Sequence, residues 1–447
     1  MTIHFPEVTL SRLHGPAQTY AIAVRSFSPV SRNFLVASSL GGINAGVSSV
    51  LLNLYILSLG NAEGYLGRLL SLGSLGAAAG ALIGAQIADK WSSWVALMLG
   101  TVVAGSGLLI VLVPGLDLFL PVGTFLGGLG AVTVYLAVPP FLASHSKPSN
   151  RPYLFGIAGA SYVVSTAIGS ILGGFLPAIL RDAFPETSQP DIYRISLAFG
   201  IACSAIGVPF LWRARPTRSG SSGNDDRGSD QAPESRMAGI PIALDKVSWA
   251  TVVRDPIVRR TLARFVLTDG LIRLGGNLIV PFFSVYFVRE LGASEAWFGT
   301  LRIIERSIEV IAMLAIAPVA ARFGPVATIA LSQLASVPML LGLGFAPSLG
   351  FASGIFLIRG TLMEMTVPLR DNFMMDRLPP GSRATVSAAV LLFGYAIAFF
   401  SVRVGGQMVQ SGHRDYTYMI AGALYTISAV LFFSLFRDEP SDKARVA

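Results

Sequence analysis

Cysteine, histidine and charge are all scarce in this 447-residue chain: it has one cysteine, four histidines and only 13% charged residues. The lone Cys203 excludes an intramolecular disulfide and, lying in an apolar stretch, reads as a buried structural thiol. His4, His14, His145 and His413 all fall at or beyond the ends of predicted helices, so histidine cannot relay protons inside the protein. There is no phosphate-binding glycine loop, no zinc-type ligand spacing and no nucleophile with a histidine partner. The sequence therefore gives no support for an enzyme and leads us to expect neither metal nor cofactor. Ten-residue strands of alternating polarity are missing too, which excludes an outer-membrane barrel. Residues 1–32 carry Arg12, Arg25 and Arg32 but no apolar core followed by a small-residue cleavage site, and they read as an uncleaved tail rather than a signal peptide.

What the chain does have is apolar length. Hydrophobic residues make up 53% of it and the mean hydropathy is +0.63, too apolar for a soluble protein of this size. A spanning helix needs roughly 20 mostly apolar residues, and about twelve such stretches are present. They run near 34–58, 65–88, 93–113, 118–144, 153–180, 194–212, 262–288, 296–320, 325–346, 349–375, 385–409 and 416–436. The predicted fold class is an all-α membrane protein. The net charge of +8 fits the positive-inside rule rather than nucleic-acid binding, because Lys and Arg crowd the N-terminal tail, the 147–151 loop, the 213–264 segment and the C-terminal tail. Both termini and the central segment are expected to be cytoplasmic, in a plasma (inner) membrane.

The two halves repeat one another. Gly60, Glu63 and Gly67 recur a constant 232 positions later as Gly292, Glu295 and Gly299. Lys147–Arg151 recurs as Pro379–Arg383, and Gly173-Gly174 as Gly405-Gly406. In an apolar chain such a duplication is the mark of a transporter with its substrate site between two repeats. The expected organisation is a tail (1–32), a six-helix bundle (33–213), a linker (214–260), a second, pseudo-symmetric six-helix bundle (261–436) and a tail (437–447). Thr217–Arg236, rich in Ser, Gly, Asp and Pro, cannot build a core. Ala243–Arg260 reads either as an amphipathic segment on the membrane surface or as solvated linker.

Gly76, Gly80 and Gly84 share one face of the second predicted helix and suit close helix packing. Gly41, Gly42 and Gly46 in the first span, with Gly270, Gly275, Gly276 and Pro281 in the seventh, fall in corresponding helices, where interruptions tend to border a transporter's site.

At the end of the second helix, Ala85–Trp94 (AQIADKWSSW) resembles the loop signature of the major facilitator superfamily, with Asp89 in the aspartate position and Lys90 in the arginine position. Pro318–Gly324 (PVAARFG) repeats the frame in register, with Arg322 in place and Ala321 where the aspartate would stand. Gly169–Gly174 (GSILGG) resembles the element of the family's antiporter branches, with Ser170 for proline, and so suggests a drug/proton antiporter-like member. Arg359-Gly360 looks like the family's intramembrane arginine-glycine element. The resemblance implies a gating role for Asp89, Lys90 and Arg322, which would hold one face closed through contacts at helix ends.

Charge inside the predicted spans is one-sided. The N-terminal half offers neutral polar groups, with Asn44, Asn53, Tyr55 and Tyr135 as cavity-lining candidates beside Thr133 and Tyr162. The C-terminal half carries Asp269, Arg273, Arg302, Glu305, Arg306, Glu309, Arg359, Glu364 and Arg403. At about 2.5–3.5 kcal/mol per charge at mid-membrane, these groups must face a watery cavity or pair with one another. Asp269, Arg273 and Asn277 follow at four-residue steps, and Arg302, Glu305, Arg306 and Glu309 form a stripe about 100° wide. The proton-coupling or substrate-binding candidates are thus Asp269, Arg273, Asn277, Glu305, Arg306, Glu309, Arg359 and Glu364; a static salt-bridge lattice explains the same pattern. The sequence reads as a monomeric secondary transporter working by alternating access with protons as the coupling ion, exporting a small amphipathic compound. Proton-coupled uptake of an organic anion and a transport-inactive sensor or scaffold remain the alternatives.

Overall fold

A computed structural model of the chain describes residues 27–115, 117–146, 150–215, 255–379 and 382–437. Most of the expected N-terminal and C-terminal tails, the Ser/Gly/Asp-rich linker and most of the 243–260 segment lie outside the described residues, and residues 29–32 of the expected N-terminal tail already belong to the first helix. Within the described residues the chain forms twelve main helical elements and no strand. The N-terminal half contributes α1 (Pro29–Ser58), α2 (Glu63–Lys90), α3 (Ser93–Leu112), α4 (Leu120–Ser144), α5 (Arg151–Ala183) and α6 (Gln189–Arg213). The C-terminal half contributes α7 (Pro256–Ile279), α8 (Glu295–Phe323), α9 (Pro325–Gly344), α10 (Leu349–Glu364), α11 (Arg383–Gln410) and α12 (Arg414–Phe436). Ten lie within about five residues of a predicted span, and α7 and α10 end short of theirs, at Ile279 and Glu364.

Local chemistry sets the boundaries. Ser28, Ser92, Ser188, Ser294 and Ser348 cap helix starts by accepting from a backbone N–H inside the first turn. Gly60 and Gly292, the repeat-related pair, both adopt positive φ (87° and 68°) in the short turns before α2 and α8, a backbone state that costs glycine little. The two interruptions are in the C-terminal half. α7 passes at Pro281 into a 3₁₀ turn, a short α-helical turn and a π turn ending at Glu290, as the missing proline N–H dictates. α10 stops at Glu364 and resumes as Val367–Met375, where Pro368 occupies the first turn. α1, by contrast, is unbroken: Gly42 and Gly46 meet the α5 backbone at Tyr162, Thr166 and Gly169 instead. The glycines expected to interrupt it are a helix crossing.

Ten elements are long and apolar enough to cross a membrane; α8 and α10 are not among them. α8 carries four charges between Arg302 and Glu309, and α10 is cut short at Glu364. The least lipid-compatible helices are therefore those holding the candidate site, and they rely on protein neighbours.

The halves pack alike. α1 lies on α5 and α6, and α7 on α11 and α12; α4 packs on α2 and α3, and α10 on α8 and α9. The bundles meet through two related contacts, α2 on α11 and α5 on α8. At one face they share a single core, in which Leu51, Leu54, Leu66 and Tyr193 of the N-terminal half join Phe282, Phe287, Phe298 and Val402 of the other. Toward the opposite face each bundle has its own core: Phe34, Trp94, Phe141 and Leu154 in one, Phe265, Phe373, Phe432 and Phe436 in the other. Among the described residues the molecule is sealed at the face of the α1–α2 and α7–α8 turns and parted at the face where α2 ends.

Candidate transport site and gates

Two glycine crossings and a set of polar ties make the seal. A Cβ on Gly67 would lie 2.9 Å from both Gly406 Cα and Val402 O, and one on Gly406 would lie 2.7 Å from Glu63 O. On the pseudo-symmetric side a Cβ on Gly299 would lie 2.4 Å from Ser170 O, and one on Gly174 2.8 Å from Glu295 O. Only glycine permits backbones this close, and in lipid such packing is a principal attraction between helices. Both crossings are built from the residues that carry the 232-residue repeat. Around them, Gln410 Oε1 accepts from Gly64 N–H at 3.0 Å, and Asn53 Nδ2 donates to Pro281 O at 2.7 Å. Arg289 donates to Leu57 O at 3.0 Å and to Glu63 at 3.3 Å. Glu295, itself buried, accepts from Tyr193 Oη at 2.6 Å and pairs with Arg181. Glu63 and Glu295, equivalent in the repeat, thus each receive an arginine from the opposite bundle.

In this sealed arrangement three of the expected cavity-lining positions are engaged in packing or in the seal. Tyr55 is only 1% exposed, inside the shared core. Asn53 is engaged in the seal, and Asn44 faces Gly200 of α6 within its own bundle. Tyr135 is 66% exposed and lies within electrostatic reach of Tyr395 on α11, which in turn senses Arg273. Tyr162 of α5, also exposed, is within similar reach of Arg306 of α8.

The C-terminal charges gather into two groups. In the first, Asp269 on α7 binds Arg273 at 2.5 Å and Arg370, from the α10 continuation, at 2.6 Å, with Asp371 nearby. Gly394 of α11 leaves room for the Arg273 guanidinium, and Asn277 is half-buried one turn further along α7. In the second, Arg302 pairs with Glu305, and Arg306 with Glu309 at 2.7 Å; both acids are buried. A Cβ on Gly360 of α10 would lie 2.5 Å from Glu305 Oε1, so the arginine-glycine element makes space for that carboxylate. Arg359 is itself buried, donates to Tyr425 Oη at 2.6 Å and lies over the rings of Phe283 and Tyr425. It has no carboxylate within 4 Å among the described residues, and Glu364 stands nearby, half-buried and without an ion pair among them. Two arginines face two acids in the first group and three face three in the second.

Asp89 and Lys90 end α2, and Arg322 ends α8 with its guanidinium over Phe323; all three are exposed at the parted face. Arg403, expected inside the bundle, is instead exposed on α11. The sequence reading missed Arg370, Asp371, Tyr395 and Tyr425. The spacing of the first two on one short helix was the available signal.

The description Major Facilitator Superfamily belongs to the family profile that matches residues 34–402, with a second match over 267–447. The chain belongs to that superfamily. It is a multi-pass membrane transporter rather than an enzyme. No curated protein sequence matches it significantly. Among solved structures it is similar to the nucleoside transporter NupG, at 14% identity over 92% of this chain and 100% of that one with a TM-score of 0.65. A bacterial homolog of the lysosomal transporter Spinster, in an inward-facing and occupied conformation, aligns at 14% identity over 95% and 98% of the two chains (TM-score 0.66). A D-xylose–proton symporter aligns at 15% over 92% and 98% (TM-score 0.65). At these identities the likeness is one of fold.

Proposed function

We propose that this superfamily member exports a small amphipathic compound in exchange for protons, by alternating access between the two bundles. The observation that carries the reading is the placement of internally neutral acid–arginine groups on α7, α8 and α10 and its continuation, with Asp269, Glu305, Glu309 and Arg359 buried, opposite exposed Tyr135 and Tyr162. The tyrosines supply an adaptable aromatic wall, and the opposite wall supplies charges that can exchange partners. A carboxylate in a dry setting takes up a proton when its arginine leaves and releases it when the arginine returns. Arg306 is the mobile partner: its side chain is 41% exposed, whereas that of Glu309 is 4% exposed. Substrate binding that draws Arg306 away would load Glu309.

Basic residues at the parted face, among them Arg151, Arg213, Arg215, Arg259 and Arg383, support a cytoplasmic placement of that face in a plasma membrane. Reporters fused at Gly223 and after Ala447 are then both expected to read as cytoplasmic. Asp89, Lys90 and Arg322 would engage when this face closes. Proteoliposomes with an imposed proton gradient test the function, with expulsion of amphipathic dyes expected only when protons can flow the other way. Gradient-independent flux would remove the coupling. In the same assay Asp89→Asn is expected to slow flux, and a wild-type rate would remove its gating role. Proton-coupled uptake of an organic anion is the second reading, favoured by the buried Arg359 with no carboxylate bound to it; accumulation of carboxylates along the gradient would select it.

A further inference from the structure

Arg68 of α2 and Arg403 of α11 are both exposed, and neither pairs with a carboxylate among the described residues. The guanidinium of Arg68 rests over Tyr65 at 5.4 Å. Their positions follow from the antiparallel α2/α11 crossing. Gly67 meets Val402 and Gly406, and Gly64 meets Gln407 and Gln410, a register that puts Arg68 and Arg403 at the same level. With about 100° per residue, each points roughly 60–70° away from the contact line, and because the helices run oppositely both turn to the same side. That side carries the exposed apolar stripes of Leu75, Leu82 and Ile83 on α2 and of Phe393, Phe400 and Val404 on α11. On the other side of α11, Gly394 and Gly405 touch Arg273 and Leu278 of α7. The arginines therefore face lipid, flanking the crossing, one from each bundle.

Arg68 lies in the second turn of α2 and Arg403 two turns before the end of α11, roughly 8–10 Å from the helix ends at 1.5 Å per residue. From there a long side chain reaches the headgroup layer. Repeat symmetry does not account for the pair: the equivalent positions at the α5/α8 crossing are Thr300 and Ile171. We infer that Arg68 and Arg403 together hold the phosphodiester of an anionic membrane lipid, which staples the two bundles at the sealed crossing. Guanidinium groups suit this ligand because their paired N–H donors match phosphate oxygens. When this face parts, the arginines separate and the shared ligand is lost, so anionic lipid favours the sealed state.

The test places spin labels at Asn61 and Ser411, on a Cys203→Ser background, in nanodiscs of phosphatidylcholine with or without phosphatidylglycerol. Phosphatidylglycerol is expected to raise the ratio of sealed to parted molecules about tenfold, and Arg68→Gln/Arg403→Gln is expected to abolish that response. Native mass spectrometry should show one fewer retained phosphatidylglycerol on the double variant. A wild-type ratio indifferent to phosphatidylglycerol overturns the inference without needing any variant. So does a double variant that responds like wild type, or a shift reproduced by inorganic phosphate in phosphatidylcholine, which would assign the arginines to a soluble anion.

Discussion

Gly67→Ala is expected to leave a folded protein that seals its closed face poorly and transports at least tenfold more slowly. The added Cβ would stand 2.9 Å from Gly406 Cα and Val402 O, and because both are backbone atoms no side chain can yield; the helices themselves must separate. Overpacking of this kind costs about 1–3 kcal/mol, and here the cost falls on one conformation, since α2 and α11 need this approach only when the face is shut. A penalty of that size shifts a two-state ratio roughly 5- to 150-fold. Gly299→Ala, at the related α5/α8 crossing, should do the same because its Cβ would meet Ser170 O at 2.4 Å. Gly105→Ala on α3 is the control: nothing lies within 4 Å of its Cβ. Transport rate per folded protein decides the matter, and equal rates for Gly67→Ala and Gly105→Ala would mean that the crossing does not gate.

The second large effect separates two acids that the sequence could not tell apart. Glu309→Gln is expected to fold, bind and exchange substrate while failing to accumulate it against a gradient, because glutamine keeps the size and hydrogen bonding but removes the proton site. Its partner Arg306 is half in water already and tolerates the loss. Glu305 is enclosed differently, between Arg302, whose side chain is 22% exposed, and the notch at Gly360. Glu305→Gln strands a more deeply buried arginine, so it is expected to lose about 3–5 kcal/mol of stability with no selective coupling defect. Thermal stability, substrate exchange and proton-driven transport on both variants, with Asp269→Asn alongside, give the answer. Full proton-driven transport by stable Glu309→Gln would return α8 to a static lattice.

Much of the fold was legible because its causes are local. Apolar runs placed the twelve helical elements, although α8 and α10 are not themselves long and apolar enough to span, and the 232-residue offset pointed to the glycines that seal one face, although not to the partner each would meet. Glu63 and Glu295 were visible only as a repeated letter; that each binds an arginine from the other bundle, Arg289 after α7 and Arg181 of α5, depends on how the bundles meet, which no spacing encodes. Tyr55 and Asn53 show the same limit. Polar groups in an apolar helix suggest a cavity wall, but these two lie at the level where the bundles share a core, and burial there belongs to the sealed conformation. Arg403 was misplaced because a charge in a spanning helix reads as inward-facing, whereas two turns from a helix end it can reach the headgroups from the lipid side. The charged stripe on α8 was readable from its helical spacing. Arg370 and Tyr425, which complete the two groups, come from other elements and could be found only in three dimensions.

Alternating access requires the sealed and parted faces to exchange. With Cys203 replaced by serine, label pairs at Asn61 and Ser411 across the sealed face and at Trp91 and Phe323 across the parted one report both distances in a single lipid preparation. Over an acidic-to-alkaline pH series the two distributions should move in opposition, the first lengthening as the second shortens, with Gly67→Ala biased toward the parted state of the first pair. Two distances that stay fixed at every pH, or that lengthen together, would contradict alternating access in this protein.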